Sequence, residues 1–217
     1  MPRRDDPRTP IRLPELASTD RAVLDALLDE VHVGHLGLVA DDGTPAVIPT
    51  AVVRDGDRVL CHGSTGSRWM RSAAQGGPVS LAVTADDGLS VARSAFESSF
   101  LYRSAVIFGS CAVVEDPDEK VRALDLLTDL LLPGRVAEVR RPTSAELAAT
   151  LVLALPIDDW SLKVNDGWPE DPPDDVAGPA WAGLLRRRSS YDVPEPAPDL
   201  RPGIAVPPSV QGAHTGA

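Results

Sequence analysis

Proline decides where this chain can build regular structure. Four of its 21 prolines fall in the first fourteen residues, and ten fall between Pro169 and Pro208. Each fixes φ and removes a backbone donor, so neither end can run as continuous helix or sheet. The compact body is therefore expected between about Leu16 and Val164, as one domain over residues 16–165. Residues 1–15 read as a flexible N-terminal arm. Residues 166–217 read as a proline-rich C-terminal extension that packs on the body up to about residue 191. From Pro194 onward the chain reads as an extended tail. No internal repeat is found, and 217 residues suit one domain with tails.

Within the body, short alternating runs are separated by turn residues. Apolar Val23, Leu24, Leu27, Leu28 and Val31 follow helical spacing after a Ser18 or Thr19 cap, with Gly34 as the stop. Strands are expected over His35–Ala40, Thr44–Arg54 and Arg58–His62, joined at Asp41-Asp42-Gly43 and Asp55-Gly56. A short helix from Arg68 follows. Strands Val79–Thr84 and Leu89–Phe96, joined by an Asp86-Asp87-Gly88 turn, lead to a long strand Tyr102–Val114. Asp116-Pro117 opens a helix that Pro133-Gly134 ends. A helix Ser144–Thr150 and strands Leu151–Ile157 and Trp160–Val164 complete the body. Six to eight antiparallel strands with helices inserted between them predict a mainly β fold of closed or partly closed barrel type.

Composition narrows the function. Hydrophobic residues at 43% are enough for a packed core. A net charge of −11 opposes nucleic-acid binding, which relies on cations neutralising phosphates. No apolar run approaches the ~20 residues of a membrane-spanning helix. The opening MPRRDDPRTPIRLPEL lacks the apolar stretch of a secretory signal, so a cytoplasmic protein is expected. Cys61 and Cys111 read as buried, reduced core residues, and no metal site is expected.

The stretch with most chemistry is His62-Gly-Ser-Thr-Gly-Ser-Arg68, at a strand end before a helix start. Backbone N–H groups at a helix start favour an anion, Ser64, Thr65 and Ser67 add hydroxyls, and Arg68 can form a bidentate pair with phosphate. The spacing is not that of a P-loop. An ordinary Gly/Ser loop capping a helix would look the same.

The chain resembles the pyridoxamine 5′-phosphate oxidase-like, FMN-binding split-barrel superfamily, in the branch related to nitroimidazole resistance proteins. The resemblance rests on VIPTAVVRDGDRVLCHGSTGSRWMR, TADDGLSVARSAFESSFLYRSAVIFG, EKVRALDLLTDLLLPGR, RRPTSAELAATLVLALPI and WAGLL, which extend over most of residues 20–185. It implies a six-stranded antiparallel split β-barrel acting as a homodimer, with FMN between the subunits. It assigns the FMN phosphate to His62, Ser64, Thr65, Ser67 and Arg68. It places Ile48, Pro49 and Thr50 beside the flavin ring, and Tyr102, Arg103 and Ser104 on the same cleft, contributed across the dimer. Lys163 and Trp181 match cofactor-side positions, and the extension can then pack on the dimer partner. Trp69, Met70, Trp160 and Trp168 read better as packing.

Two departures from the family pattern bear on chemistry. Where relatives read Ser-Ala-Phe-His-His-Ser-x-Asn-Tyr-Arg-Ser-Val, this chain has Ser94-Ala-Phe-Glu-Ser-Ser-Phe-Leu-Tyr-Arg-Ser-Ala105. Glu97 and Ser98 replace two imidazoles that would titrate near neutrality. Near Lys163 the usual Lys-Val-Arg-x-Gly becomes Lys163-Val-Asn-Asp-Gly167. The resemblance therefore implies an FMN-dependent oxidoreductase acting on a small organic molecule, with Tyr102, Arg103 and Glu97 as the catalytic candidates. The alternatives are a non-catalytic FMN-binding module and a divergent split-barrel enzyme without flavin. Haem is disfavoured because His62 is the only histidine placed near the expected cleft, and the anionic tail of the deazaflavin F420 suits an acidic chain poorly.

Overall fold

The computed structural model describes residues 13–40 and 42–215. Most of the expected N-terminal arm, and Asp41 of the first turn, lie outside the described residues. The elements before the middle of the chain are β1 (Ala17–Ser18), α1 (Arg21–Glu30), β2 (Val33–Val39), β3 (Pro45–Asp55), β4 (Arg58–Ser64), α2 (Arg68–Ala73), β5 (Pro78–Val91) and β6 (Ser99–Ser110). Then come β7 (Ala112–Val113), α3 (Pro117–Leu131), α4 (Ser144–Ala149), β8 (Thr150–Pro156), β9 (Asp159–Asn165), α5 (Pro173–Val176), β10 (Gly183–Arg186) and α6 (Pro208–Thr215).

The strands form one antiparallel sheet in the order β1-β9-β6-β5-β2-β3-β4-β8-β7, with β10 added on β5. This corrects the expected six-stranded barrel: among the described residues there are ten strands, and the two ends of the sheet do not pair. Three of the added strands, β1, β7 and β10, are only two to four residues long, too short to read from sequence. The sheet is divided along β3. Residues 45–51 pair with β2, and residues 52–55 pair with β4, so one strand passes from one half-sheet to the other.

Alternation along the strands sets two cores. Inward residues such as Leu36, Val52, Val59, Leu81, Ile107 and Leu153 pack with Leu24, Leu27 and Leu28 of α1, which closes one end. On the other side of the second half-sheet, Val53, Leu60, Val152 and Ala154 pack under Ala123 and Leu127 of α3. Helix starts follow capping chemistry. Asp116 accepts from the Glu119 N–H, and Thr143 and Glu146 form a reciprocal capping box.

Several expectations shift. The first helix is capped by Asp20, whose side chain accepts from the Ala22 N–H, rather than by Ser18 or Thr19. Gly34 does not stop that helix. It lies inside β2, where a Cβ would come within 2.8 Å of Leu81 Cδ1. Asp86-Asp87-Gly88 is not a turn but a bulge within the single strand β5, where the pairing to β6 shifts register. Gly88 has φ +134°, and a Cβ there would come within 2.2 Å of the Leu185 carbonyl oxygen. That contact lets β10 lie against β5. The tail is not extended to its end: α6 docks through Ser209, whose N–H and hydroxyl both donate to Glu138. Among the described residues no helix is long and apolar enough to cross a membrane.

Candidate functional site

The hydroxyl-rich loop joins β4 to α2. Gly63 allows the two to meet, since a Cβ there would come within 3.0 Å of Met70 Cγ in the core. The loop is held from within. The Thr65 N–H donates to the Ala149 carbonyl (2.9 Å), the Ser67 N–H to the Ser64 carbonyl (2.9 Å) and the Gly66 N–H to Ser64 Oγ (3.1 Å). Arg71 donates to the carbonyls of Thr65 (3.3 Å) and Gly66 (3.0 Å). The amides of Thr65, Gly66 and Ser67 are thus engaged within the fold. What the loop offers outward is hydroxyl chemistry and the guanidinium of Arg68.

Arg68 is exposed and pairs with no carboxylate among the described residues, whereas most other arginines of this acidic chain do. Ser67 occupies the N-cap of α2 without using its side chain to cap it. His62 lies on the outer side of β4, directly before the loop. Partial desolvation lowers its imidazole pKa below the usual 6.5, favouring the neutral ring near pH 7.

Register fixes how the other expected residues relate to this loop. On the outer face, Thr84, Ser104 and Lys163 lie side by side across β5, β6 and β9. On the other side of β5, the outward-facing Val33 of β2 pairs with Ala51 of β3, and beside them Val52 pairs with Cys61, the residue before His62. Ser104 and His62 are four strands apart in the sheet order, about 19 Å measured along the sheet at ~4.8 Å per strand. The structure therefore brings His62, Ser64, Thr65, Ser67 and Arg68 together. It sets Tyr102, Ser104 and Lys163 apart from them on the same face. Pro49 stands on that outer face. Ile48 and Thr50, one residue to either side, turn the other way with Val52.

The remaining candidates do not join the loop. Arg103 donates to Asp87 (2.9 and 2.7 Å) and Glu30 (3.1 Å), which ties β6 to the β5 bulge and the end of α1. These carboxylates raise its pKa, so it is a permanently charged strut. Tyr102 is half-buried opposite Asp86 and Asn165. Glu97 follows β5 in a turn where its N–H donates to Ser94 Oγ (3.2 Å). Trp181 lies exposed against Gly183 at the start of β10. Burial pushes the Cys61 and Cys111 thiols up to about 12 and about 11, so both stay protonated.

A cleft of about 680 Å³ on the outer face was not foreseen. β2 pairs with β5 only at Ser80–Ala82, and β10 only at Gly88–Val91, so the edge of β5 between them is uncovered. His32, Val33 and His35 line the gap together with Glu30 at the end of α1, Thr84 and Asp86 of β5, and Arg187, Ser189, Ser190 and Tyr191 of the extension. Arg187 is fixed there by Asp86 at 2.7 Å and by its own N–H to the Asp87 carbonyl. The sequence signal was present in His32 and His35 flanking Gly34. The cleft itself depends on pieces of chain far apart in sequence. His62 is therefore not the only histidine at a concave surface.

The family model for pyridoxamine 5′-phosphate oxidase matches residues 20–164. Among curated proteins none matches the chain. A solved FAD and heme binding protein from Mycobacterium smegmatis is 49% identical, covering 92% of this chain and 97% of its own, with a TM-score of 0.86. The flavocytochrome Anf3 from Azotobacter vinelandii is 33% identical, covering 96% of both chains, with a TM-score of 0.87. A candidate 5-nitroimidazole antibiotic resistance protein from Bacteroides thetaiotaomicron shares the fold at 18% identity, covering 68% of this chain and 86% of its own, with a TM-score of 0.59.

Proposed function

Because the chain belongs to the pyridoxamine 5′-phosphate oxidase family, we propose that it is a redox protein binding a flavin, FAD, together with haem. The observation that carries the flavin half is Arg68, a guanidinium without a carboxylate partner beside three hydroxyls in a chain of net charge −11. A guanidinium flanked by hydroxyls suits phosphate oxygens. FAD takes the place of the FMN expected from sequence because the 49% identical relative binds FAD and heme. Haem is carried over from the same relative, and the imidazoles of His32 and His35 line a cleft within the 300–1,000 Å³ range of cofactor pockets, together with the carboxylates of Glu30 and Asp86.

In this reading Ser64, Thr65, Ser67 and Arg68 hold the flavin's phosphates. Arg71 keeps the loop in shape, and the neutral His62 borders it. Pro49, exposed on the outer face of β3, offers the ring an apolar contact. Tyr102, Ser104 and Lys163 lie too far along the sheet to reach the same small ligand from the same chain. They meet it if two copies stack these faces, so the protein acts as a homodimer with Tyr102 and Ser104 bounding a substrate pocket. The bound flavin supplies hydride and single-electron transfer, and haem supplies single-electron transfer. The protein contributes position, hydrogen bonds and exclusion of water. The overall activity is that of an oxidoreductase.

The test is the absorption spectrum of the purified protein after incubation with FAD and hemin, with released flavin identified by mass. Flavin bands, a Soret band and released FAD are expected. A protein that stays colourless after incubation with both overturns the assignment. Catalysis is read by reducing the loaded protein with NADH or dithionite and following reoxidation by small organic acceptors, where selective, rapid reoxidation is expected.

A further inference from the structure

The extension beyond β10 is fastened at both ends. At the near end the Arg187 N–H donates to the Asp87 carbonyl (2.9 Å), and its guanidinium pairs with Asp86 (2.7 Å). At the far end the Ser209 N–H (3.0 Å) and the Ser209 hydroxyl both donate to the carboxylate of Glu138, in the turn Arg135–Glu138 that follows α3. Ser209 is the only buried residue among the described residues after Gly183. It stands in the first turn of α6, so Glu138 also sets a negative charge where a helix start favours one. Beside this anchor a groove of about 570 Å³ stays open, lined by Leu200, Ile204, Val206 and Val210 with Arg135 and Glu138. A contact that leaves such a space unfilled gains little from apolar burial, so the docking of α6 depends on the Glu138 carboxylate.

From this anchor α6 reaches the cleft between β2, β5 and the extension. His214, in its last turn, places Nδ1 3.3 Å from the Tyr191 carbonyl, and Tyr191 lines the cleft with Ser189 and Ser190. The chain from 191 to 214 is therefore a closed loop whose ends meet at the cleft wall. Pro194, Pro196, Pro198, Pro202 and Pro207 stiffen the path between, so a displacement of α6 is not absorbed as slack before it reaches Tyr191. A helix of eight residues has little stability of its own, so release from Glu138 unwinds α6 and withdraws His214 from Tyr191 in one event. We propose that α6 is a latch: docked on Glu138 it holds the Tyr191 wall of the cleft in place, and undocked it opens the cleft. The device governs access, and it stands whichever ligand the cleft takes.

The experiment uses the full chain with Tyr191→Cys and Val39→Cys, both exposed, carrying spin labels; Cys61 and Cys111 are buried and escape labelling. The Tyr191 carbonyl that meets His214 is backbone, so the first substitution keeps that contact. The label-to-label distance reads the cleft wall, and amide exchange at Val210 and Gln211, both bonded to the Pro207 carbonyl, reads α6. In this background a single narrow distance is expected. Glu138→Ala removes both acceptors and Ser209→Ala one donor; each is expected to speed exchange at Val210 and Gln211 roughly tenfold or more and to add a second, displaced distance, Glu138→Ala the more. His214→Ala is expected to broaden the distance with the α6 amides still protected. Exchange at Leu81 and Val83 of β5 should stay as in the parent, which separates unlatching from a damaged fold. Faster exchange in α6 with an unchanged distance overturns the coupling. Unchanged exchange in both Glu138→Ala and Ser209→Ala overturns the latch.

Discussion

Replacing Arg68 with alanine is the sharpest test of the loop. The guanidinium has no partner among the described residues, so its removal leaves no buried carboxylate of theirs unpaired, and the unfolding midpoint in urea should not move. Its loss should appear in ligand affinity alone. A hydrogen bond to a charged group contributes about 1.5–3 kcal/mol. Arg68 is exposed and its phosphate contact is partly screened, so about 2 kcal/mol is the reasonable value, near a 30-fold rise in the FAD dissociation constant. Titrating stripped protein with FAD at two or three salt concentrations, followed by flavin fluorescence, gives both the affinity and its salt dependence. Arg68→Ala should weaken binding and flatten the salt dependence. Arg71→Ala should weaken binding less, because Arg71 donates to the carbonyls of Thr65 and Gly66 and acts through loop order. A dissociation constant for Arg68→Ala within twofold of wild type, with the same salt dependence, would place the phosphate elsewhere. A lowered urea midpoint would make Arg68 a structural residue.

Three further outcomes follow from the geometry. Gly88→Ala meets both positive φ and the Leu185 carbonyl, and should cost about 3 kcal/mol in urea unfolding or release β10, seen as faster amide exchange at Leu184 and Arg186. Thr143→Ala removes the cap of α4 and should cost about 1 kcal/mol in the same measurement, with no loss if the capping box is incidental. His62 should titrate by NMR with a midpoint below 6.5. Because the unfolded chain takes up that proton first, the stability His62 contributes is full above pH 6.5 and is lost as pH falls through the folded midpoint. A midpoint above 6.5 would mean that a nearby carboxylate, rather than desolvation, sets its charge.

Local chemistry was legible in the sequence, and long-range juxtaposition was not. Asp116-Pro117 gave the start of α3, and the loop from His62 to Arg68 could be read as one unit because its parts are adjacent in sequence. Asp86-Asp87-Gly88 misled because a glycine with positive φ fits a turn and a bulge equally well. β10 escaped because four residues carry too short an alternation, and its partner strand lies about ninety residues earlier. Arg103 looked available until Asp87 and Glu30, from two other elements, closed on it. That His32 and His35 share a cleft with Arg187 and Tyr191 depends on where two strands stop along β5, which no local pattern encodes.

That divided edge of β5 has a consequence for how such a protein can change. The bottom of the cleft belongs to the barrel, but its far wall is tail. Residues past Arg186 can therefore be lengthened, shortened or exchanged with no disturbance to the hydrophobic interior. A relative could acquire a different ligand by grafting a new terminus onto an old framework.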